Sequence, residues 1–173
     1  MLLDKVTKDA AEIFAELYEH YLPKVFRYIS YQVGNMDLAE DLTSGVFEKT
    51  LTKLDSYRSD KASFSTWIFS IARNAVIDHH RTEKRNTTIS MEETSEPASQ
   101  EASPEEEAIK KDELQRLDTY LRHISHQERD IISLKFGAGL SNRQIAKSLH
   151  LSESNVGTIL YRATCKLKDK FKE

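Results

Sequence analysis

A single cysteine, Cys165, leaves this chain without a partner for an intramolecular disulfide and without the thiolate cluster of a structural zinc site. With no resolving thiol, it reads as a small residue on a helix. Three prolines and five glycines in 173 residues are too few for a turn-rich all-β protein. Apolar runs are short as well. None approaches the ~18 residues of a membrane span, and the opening MLLDKVTKDA has no run of signal-peptide length. A soluble, cytoplasmic protein without membrane insertion is therefore expected. Also missing are a Gly-rich phosphate loop and a metal-ligand cluster. His79 and His80 are adjacent, a spacing that suits neither a helical metal pair nor a catalytic dyad. No cofactor, no metal and no catalysed reaction are expected.

What the chain does have is long polar–apolar stretches rich in Leu, Ile, Ala, Glu and Lys, which point to an all-α protein. Its net charge of −3 is unevenly spread. The balance is −4 over residues 1–55, +3 over 56–90, −5 over 91–111 and +3 over 112–173. Two basic segments thus flank an acidic one, so the overall charge is a poor guide to partners.

The run NTTISMEETSEPASQEASPEEE, beginning at Asn86, holds two prolines and almost no large apolar side chains. It buries too little surface to repay ordering, and reads as a flexible acidic linker over residues 86–111. Two small helical domains, 1–85 and 112–173, are expected on either side. In the first, Phe14, Leu17, Tyr18, Tyr21, Leu22, Val25, Phe26 and Ile29 follow helical spacing, with a kink or break expected at Pro23. Asp37 is a candidate cap for a second helix through Leu38, Leu42, Val46, Phe47 and Leu51. After the polar loop SYRSDKAS, a third helix carries Phe64, Trp67, Ile68, Ile71, Ala72 and Val76. In the second domain, Leu114, Leu117, Leu121 and Ile124 mark one helix; Glu128, Ile131, Ile132, Leu134 and Phe136 mark another, ended by Gly137 and Gly139.

The segment LSNRQIAKSLHLSESNV then carries the marks of a helix-turn-helix. Ser141 can cap a helix from Asn142 to Leu149, with Gln144 completing a capping box. His150 and Leu151 form a turn, and Ser152 caps a second helix whose Val156, Ile159 and Leu160 face inward. Seven basic residues against two acidic ones between Ser141 and Lys172 give a local balance of +5, suited to DNA phosphates. The N-terminal residues of the second helix would meet base edges in the major groove.

The segment FSTWIFSIARNAVIDHHR sets Phe64, Trp67 and Phe69 beside Arg73, Asn74, His79, His80 and Arg81. Aromatic platforms in a basic groove hold unstacked single-stranded bases. Trp67 equally fits a core position, whereas the Asn74 amide can both donate to and accept from a base edge.

Taken in order, FAELYEHYLPKVFRYI, DLAEDLTSGVFEKTL, FSTWIFSIARNAVIDHHR and the C-terminal helix-turn-helix resemble the extracytoplasmic-function sigma factors of bacterial RNA polymerase, over about Phe14 to Phe171 without the linker. The resemblance implies docking on the β′ coiled coil of core polymerase through Glu40, Asp41, Leu42 and Phe47, with the β flap as a second polymerase contact. It implies capture of melted minus-ten bases by Tyr57, Arg58, Lys61, Phe64, Trp67, Asn74, His79 and Arg81. Minus-thirty-five DNA would be read through Ser152, Glu153, Ser154, Thr158, Tyr161, Arg162 and Lys166. Promoter DNA and an anti-sigma factor are the other implied partners. Gly157 departs from the larger polar residue of many relatives, and Gly45 is unusual inside the docking helix. The alternative is a stand-alone helix-turn-helix regulator that binds duplex DNA without polymerase.

Overall fold

The computed structural model describes residues 2–89, 112 and 115–170, which form helices and connecting turns with no strand among them. The elements are α1 (Leu2–Val33), α2 (Met36–Lys53), a 3-10 turn (Leu54–Ser56) and α3 (Phe64–Ile89). After them come α4 (115–121), α5 (His126–Ile132) running into a π turn (Ser133–Gly137), α6 (Asn142–Leu149) and α7 (Glu153–Lys170).

Pro23 lies inside α1, so the break that was one of the two outcomes expected there does not occur. A proline withholds one N–H, but the next turns bury Val25, Tyr28 and Ile29 completely or nearly so, and that packing holds the helix together. Gly34, at φ +66°, ends α1 by donating its N–H to Ser30 O at 2.9 Å. The reversal leaves Asn35 extended, with its Oδ1 accepting from Leu38 N at 3.0 Å. Asn35, and not Asp37, therefore caps α2; Asp37 sits in the first turn, where a carboxylate favours the helix dipole.

Helices α1, α2 and α3 pack together around Val25, Ile29, Val46, Ile68, Phe69 and Ala72. The buried hydroxyls of Thr43 and Thr50 donate one turn back, to Ala39 O (2.6 Å) and Val46 O (2.7 Å), so their burial leaves no unpaired polar atom. Phe69 is fully buried and meets Tyr28 edge-on at 5.7 Å, which removes it from the exposed aromatic face expected for it. It follows Trp67 by two residues, and so lies about 200° round the helix.

The C-terminal helices bury Leu121, Ile131, Leu134, Ile145, Val156 and Ala163. Ser125 starts α5 with a capping box, its Oγ accepting from Glu128 N while Glu128 Oε2 accepts from Ser125 N at 2.8 Å. Phe136, on the helix expected through it, lies in the π turn and is 55% exposed.

Core residues of both halves join in one apolar cluster. The joint lies where the π turn meets α1: a Cβ on Gly137 would come within 3.1 Å of the Tyr28 backbone. A larger residue there would have to push the two backbones apart by a few tenths of an ångström. The boundary expected at residue 85 falls inside α3, which runs to Ile89. The rest of the acidic linker, and Leu114 with it, lies outside the described residues.

Candidate nucleic-acid interface

In the N-terminal half, the loop after α2 is tied at both ends by rings. Tyr57 lies 5.5 Å from Phe64 and 5.1 Å from Trp67, and Phe64 lies 5.4 Å from Trp67 and 5.1 Å from Tyr21. Tyr57 Oη donates to Ala62 O at 3.0 Å across the loop, and Ser63 Oγ accepts from Thr66 N at the start of α3. The rings are only half-buried, so they serve as packing and remain reachable from outside. Arg58, Lys61 and Asp60 stand exposed at the tip, Arg58 holding Asp60 through Nε at 3.1 Å and Nη2 at 3.3 Å.

Trp67, Asn74 and Arg81 follow one another at intervals of seven residues along α3. Seven residues are nearly two turns, so the three share one face at steps of about 10 Å along the axis. Asn74 and Arg81 are exposed. His79 Nε2 and His80 Nδ1 both approach Glu83 Oε2, at 3.8 and 3.7 Å. Burial and the neighbouring His79 push the proton affinity of His80 below that of an ordinary histidine, so it stays neutral at pH 7. The basic character of this face thus rests on the arginines more than on His80.

On α2, Glu40 and Asp41 are exposed and Leu42 is half-buried, whereas Phe47 is 5% exposed and packs edge-on against Tyr18 at 4.7 Å. Phe47 therefore supports the exposed edge from beneath and offers little surface to a partner. A Cβ at Gly45 would meet nothing within 4 Å, so the helix is open there.

The C-terminal half holds the helix-turn-helix as expected. Ser141 and Gln144 form the capping box of α6, His150 takes the left-handed turn at φ 55°, and Ser152 Oγ accepts from Asn155 N at 3.1 Å to start α7. Val156, Ile159 and Leu160 face inward, while Ser152, Glu153, Ser154, Thr158, Tyr161 and Arg162 are all exposed, Tyr161 at 72%. Lys166 differs. Its ammonium, expected at minus-thirty-five DNA, here donates to Glu128 Oε1 at 2.6 Å and ties α7 to α5. No sequence signal exposes that pairing, since the partners are 38 residues apart.

The Lys166 hydrogen bond, followed by those from Ser125, outweighs burial and holds the Glu128 carboxyl below its ordinary value. A depressed carboxylate stabilises the fold above the unfolded-state pKa, and that contribution is lost as pH falls through the folded one. Glu128→Gln keeps the capping box and deletes the charge. At pH 7 it should lower stability by about 1 kcal/mol, and the gap should close in acid. Urea unfolding at neutral and acidic pH checks this; a gap independent of pH would contradict it.

Residues 17–86 match the family model for Sigma-70 region 2, and residues 114–167 match that for Sigma-70 region 4. The chain is similar to the ECF RNA polymerase sigma factor BldN of Streptomyces coelicolor, at 30% identity over 94% of this chain and 61% of that protein. It is similar also to the ECF sigma factor SigD of Mycobacterium tuberculosis, at 30% identity over 97% of this chain and 83% of that one. In fold it resembles the sigma factor RpoE of Bartonella quintana, solved as a co-crystal with the anti-sigma factor NepR. That likeness has a TM-score of 0.73 at 22% identity, covering 93% of this chain and 98% of the other. With an aromatic-lined loop and an amide-and-arginine face on α3, a helix-turn-helix with an exposed recognition face, and these matches along its length, the chain belongs to the ECF RNA polymerase sigma factors.

Proposed function

We propose that this sigma factor brings core RNA polymerase to its promoters through three surfaces, performs no chemical step itself, and works in the cytoplasm. Residues 1–85 act as the domain that docks on polymerase and captures the minus-ten element, 112–173 as the domain that reads the minus-thirty-five element, and 86–111 as a tether. No helix among the described residues is long and apolar enough to cross a membrane, in keeping with that site of action.

The exposed edge of α2, with Glu40 and Asp41 and the flank of Leu42, is the polymerase contact, meeting the β′ coiled coil. Melted minus-ten bases are held between the Tyr57–Phe64–Trp67 rings and the Asn74 amide, with Arg58, Lys61, His79 and Arg81 toward phosphate. Stacking and hydrogen bonding there offset an unpairing cost of a few kcal/mol. Ser152, Glu153, Ser154, Thr158 and Tyr161 lie toward the bases of the minus-thirty-five element, and Arg162, farther along α7, toward phosphate. The β flap of polymerase and an anti-sigma factor are the remaining partners; the Bartonella relative was crystallised with one.

The observation that carries this reading is the single face of α3 that aligns Trp67, Asn74 and Arg81 beside an exposed loop. A stand-alone regulator is not favoured, because residues 17–86 match a sigma region that such a regulator does not need. The test combines the purified chain with core polymerase and promoter DNA. Asp41→Arg with Leu42→Ala should weaken holoenzyme formation by about tenfold or more, with helix content unchanged by circular dichroism. Unaltered affinity for core in a folded variant removes α2 as the docking edge.

A further inference from the structure

Adjacent histidines alone make a poor metal pair, because about 100° of helix separates neighbouring side chains. His79 and His80 are not alone. Glu83 follows four residues after the first and three after the second, and both spacings bring side chains together on a helix. At about 100° per residue, Glu83 falls about 40° round the axis from His79, and so between the two rings. His79 Nε2 lies 3.8 Å, and His80 Nδ1 3.7 Å, from the same oxygen, Glu83 Oε2. One donor atom from each of the three side chains lies within 4.8 Å of the others.

The two separations from the carboxylate are longer than a hydrogen bond. They are close to what a shared ion requires. Donors about 2.1 Å from a tetrahedral zinc ion stand about 3.4 Å apart, so each ring has to approach the carboxylate by only about 0.4 Å or less. All three ligands come from consecutive turns of α3, so capture of an ion orders no long loop. Two imidazoles with one carboxylate are the donor set of late first-row divalent ions, whereas magnesium and calcium take oxygen.

The surroundings admit a cation. Over residues 78–84, Arg81 and Lys84 are balanced by Asp78 and Glu83. Arg81 Nη1 lies 3.8 Å from Asp78 Oδ1, which shares its charge. Farther back along the helix, Arg73 Nε donates to Asp130 Oδ2 at 2.8 Å. The site is also reachable. The side chains of His79, His80 and Glu83 are 25%, 38% and 64% exposed, and the last two line an open groove of about 620 Å³. Partly buried rings have less freedom to lose when an ion fixes them.

We propose that His79, His80 and Glu83 form a binding site for one divalent transition-metal ion of the zinc class, with water completing its coordination. The site takes its ion in the free chain and needs neither polymerase nor promoter. It is independent of the DNA contact assigned to His79 above.

Two measurements on the full chain test it. The first is calorimetric titration with zinc chloride, in a Cys165→Ser background that removes the one thiol. Glu83→Gln and His80→Ala should each weaken binding at least about tenfold, with helix content unchanged by circular dichroism. His126→Ala, which removes a histidine lining the same groove, should leave the affinity unchanged. The second measurement needs no ligand substitution. In nitrogen-resolved NMR spectra of the imidazoles, zinc should shift the signals of His79 and His80 and leave those of the remaining histidines in place. Magnesium at the same concentration should shift neither. Equal zinc affinity with and without Glu83, or shifts centred on other histidines, overturns the proposal. So does an equal response to magnesium, or a loss on His126→Ala as large as that on His80→Ala.

Discussion

Phe69→Ala is expected to lower the free energy of unfolding by about 3–5 kcal/mol, the range for deleting a large buried aromatic. The ring is fully buried against Tyr28, with Ile68, Ala72 and Val76 alongside, so little can collapse into the space it leaves. Tyr28 is also a donor to Asp130, and a cavity beneath it should loosen that bond as well. Against a total stability of about 5–15 kcal/mol, such a loss removes a large share. Urea unfolding followed by circular dichroism measures it. Were the ring a platform for bases, the variant would unfold like wild type and fail only in promoter melting.

Asn74→Ala should do the reverse. The side chain is exposed, so its removal should leave stability within about 0.5 kcal/mol. Losing its hydrogen bonds to a captured base, about 1–2 kcal/mol, should slow open-complex formation roughly five- to thirtyfold. Core polymerase affinity should not change, because Asn74 lies on α3 and the docking edge on α2. Permanganate footprinting of the bubble, with core binding measured in parallel, checks both halves of the expectation. A mutant bubble that forms at the wild-type rate removes Asn74 from the recognition face.

The two substitutions also show where sequence reasoning succeeds. The all-α class and the limits of the helix-turn-helix were legible because their signals are local: Ser141 and Gln144 sit three residues apart, and Ser152 caps a helix that begins at the next residue. The exposed face of α7 was legible for the same reason. Phe69 shares its composition with aromatic neighbours on the exposed face, but its spacing points it inward. Asp37 has the residue type of a cap, but Gly34 turns the chain earlier and leaves Asn35 in the capping position. The capping box of Ser125 and Glu128 also has a local, three-residue signature. Phe47, Lys166 and Asp130 are different, since their roles depend on partners 29, 38 and as many as 102 residues away. Periodicity carries no trace of such pairings.

That separation bears on the order in which the molecule assembles. Helices α5, α6 and α7 close against sequence neighbours, and capping boxes at Ser125 and Ser141 define where two of them start. Contacts so local cost little chain entropy and form early in folding. The Tyr28–Asp130 bond joins residues 102 apart, and loop closure of that length is penalised before any contact repays it. Each half is therefore expected to gain its local helices first, with the long-range Tyr28–Asp130 bond forming later. Dilution from denaturant should accordingly restore helix content before it restores proximity between α1 and α5. A chain still being synthesised presents its first half, with Arg73 unclaimed, for as long as Asp130 has yet to emerge.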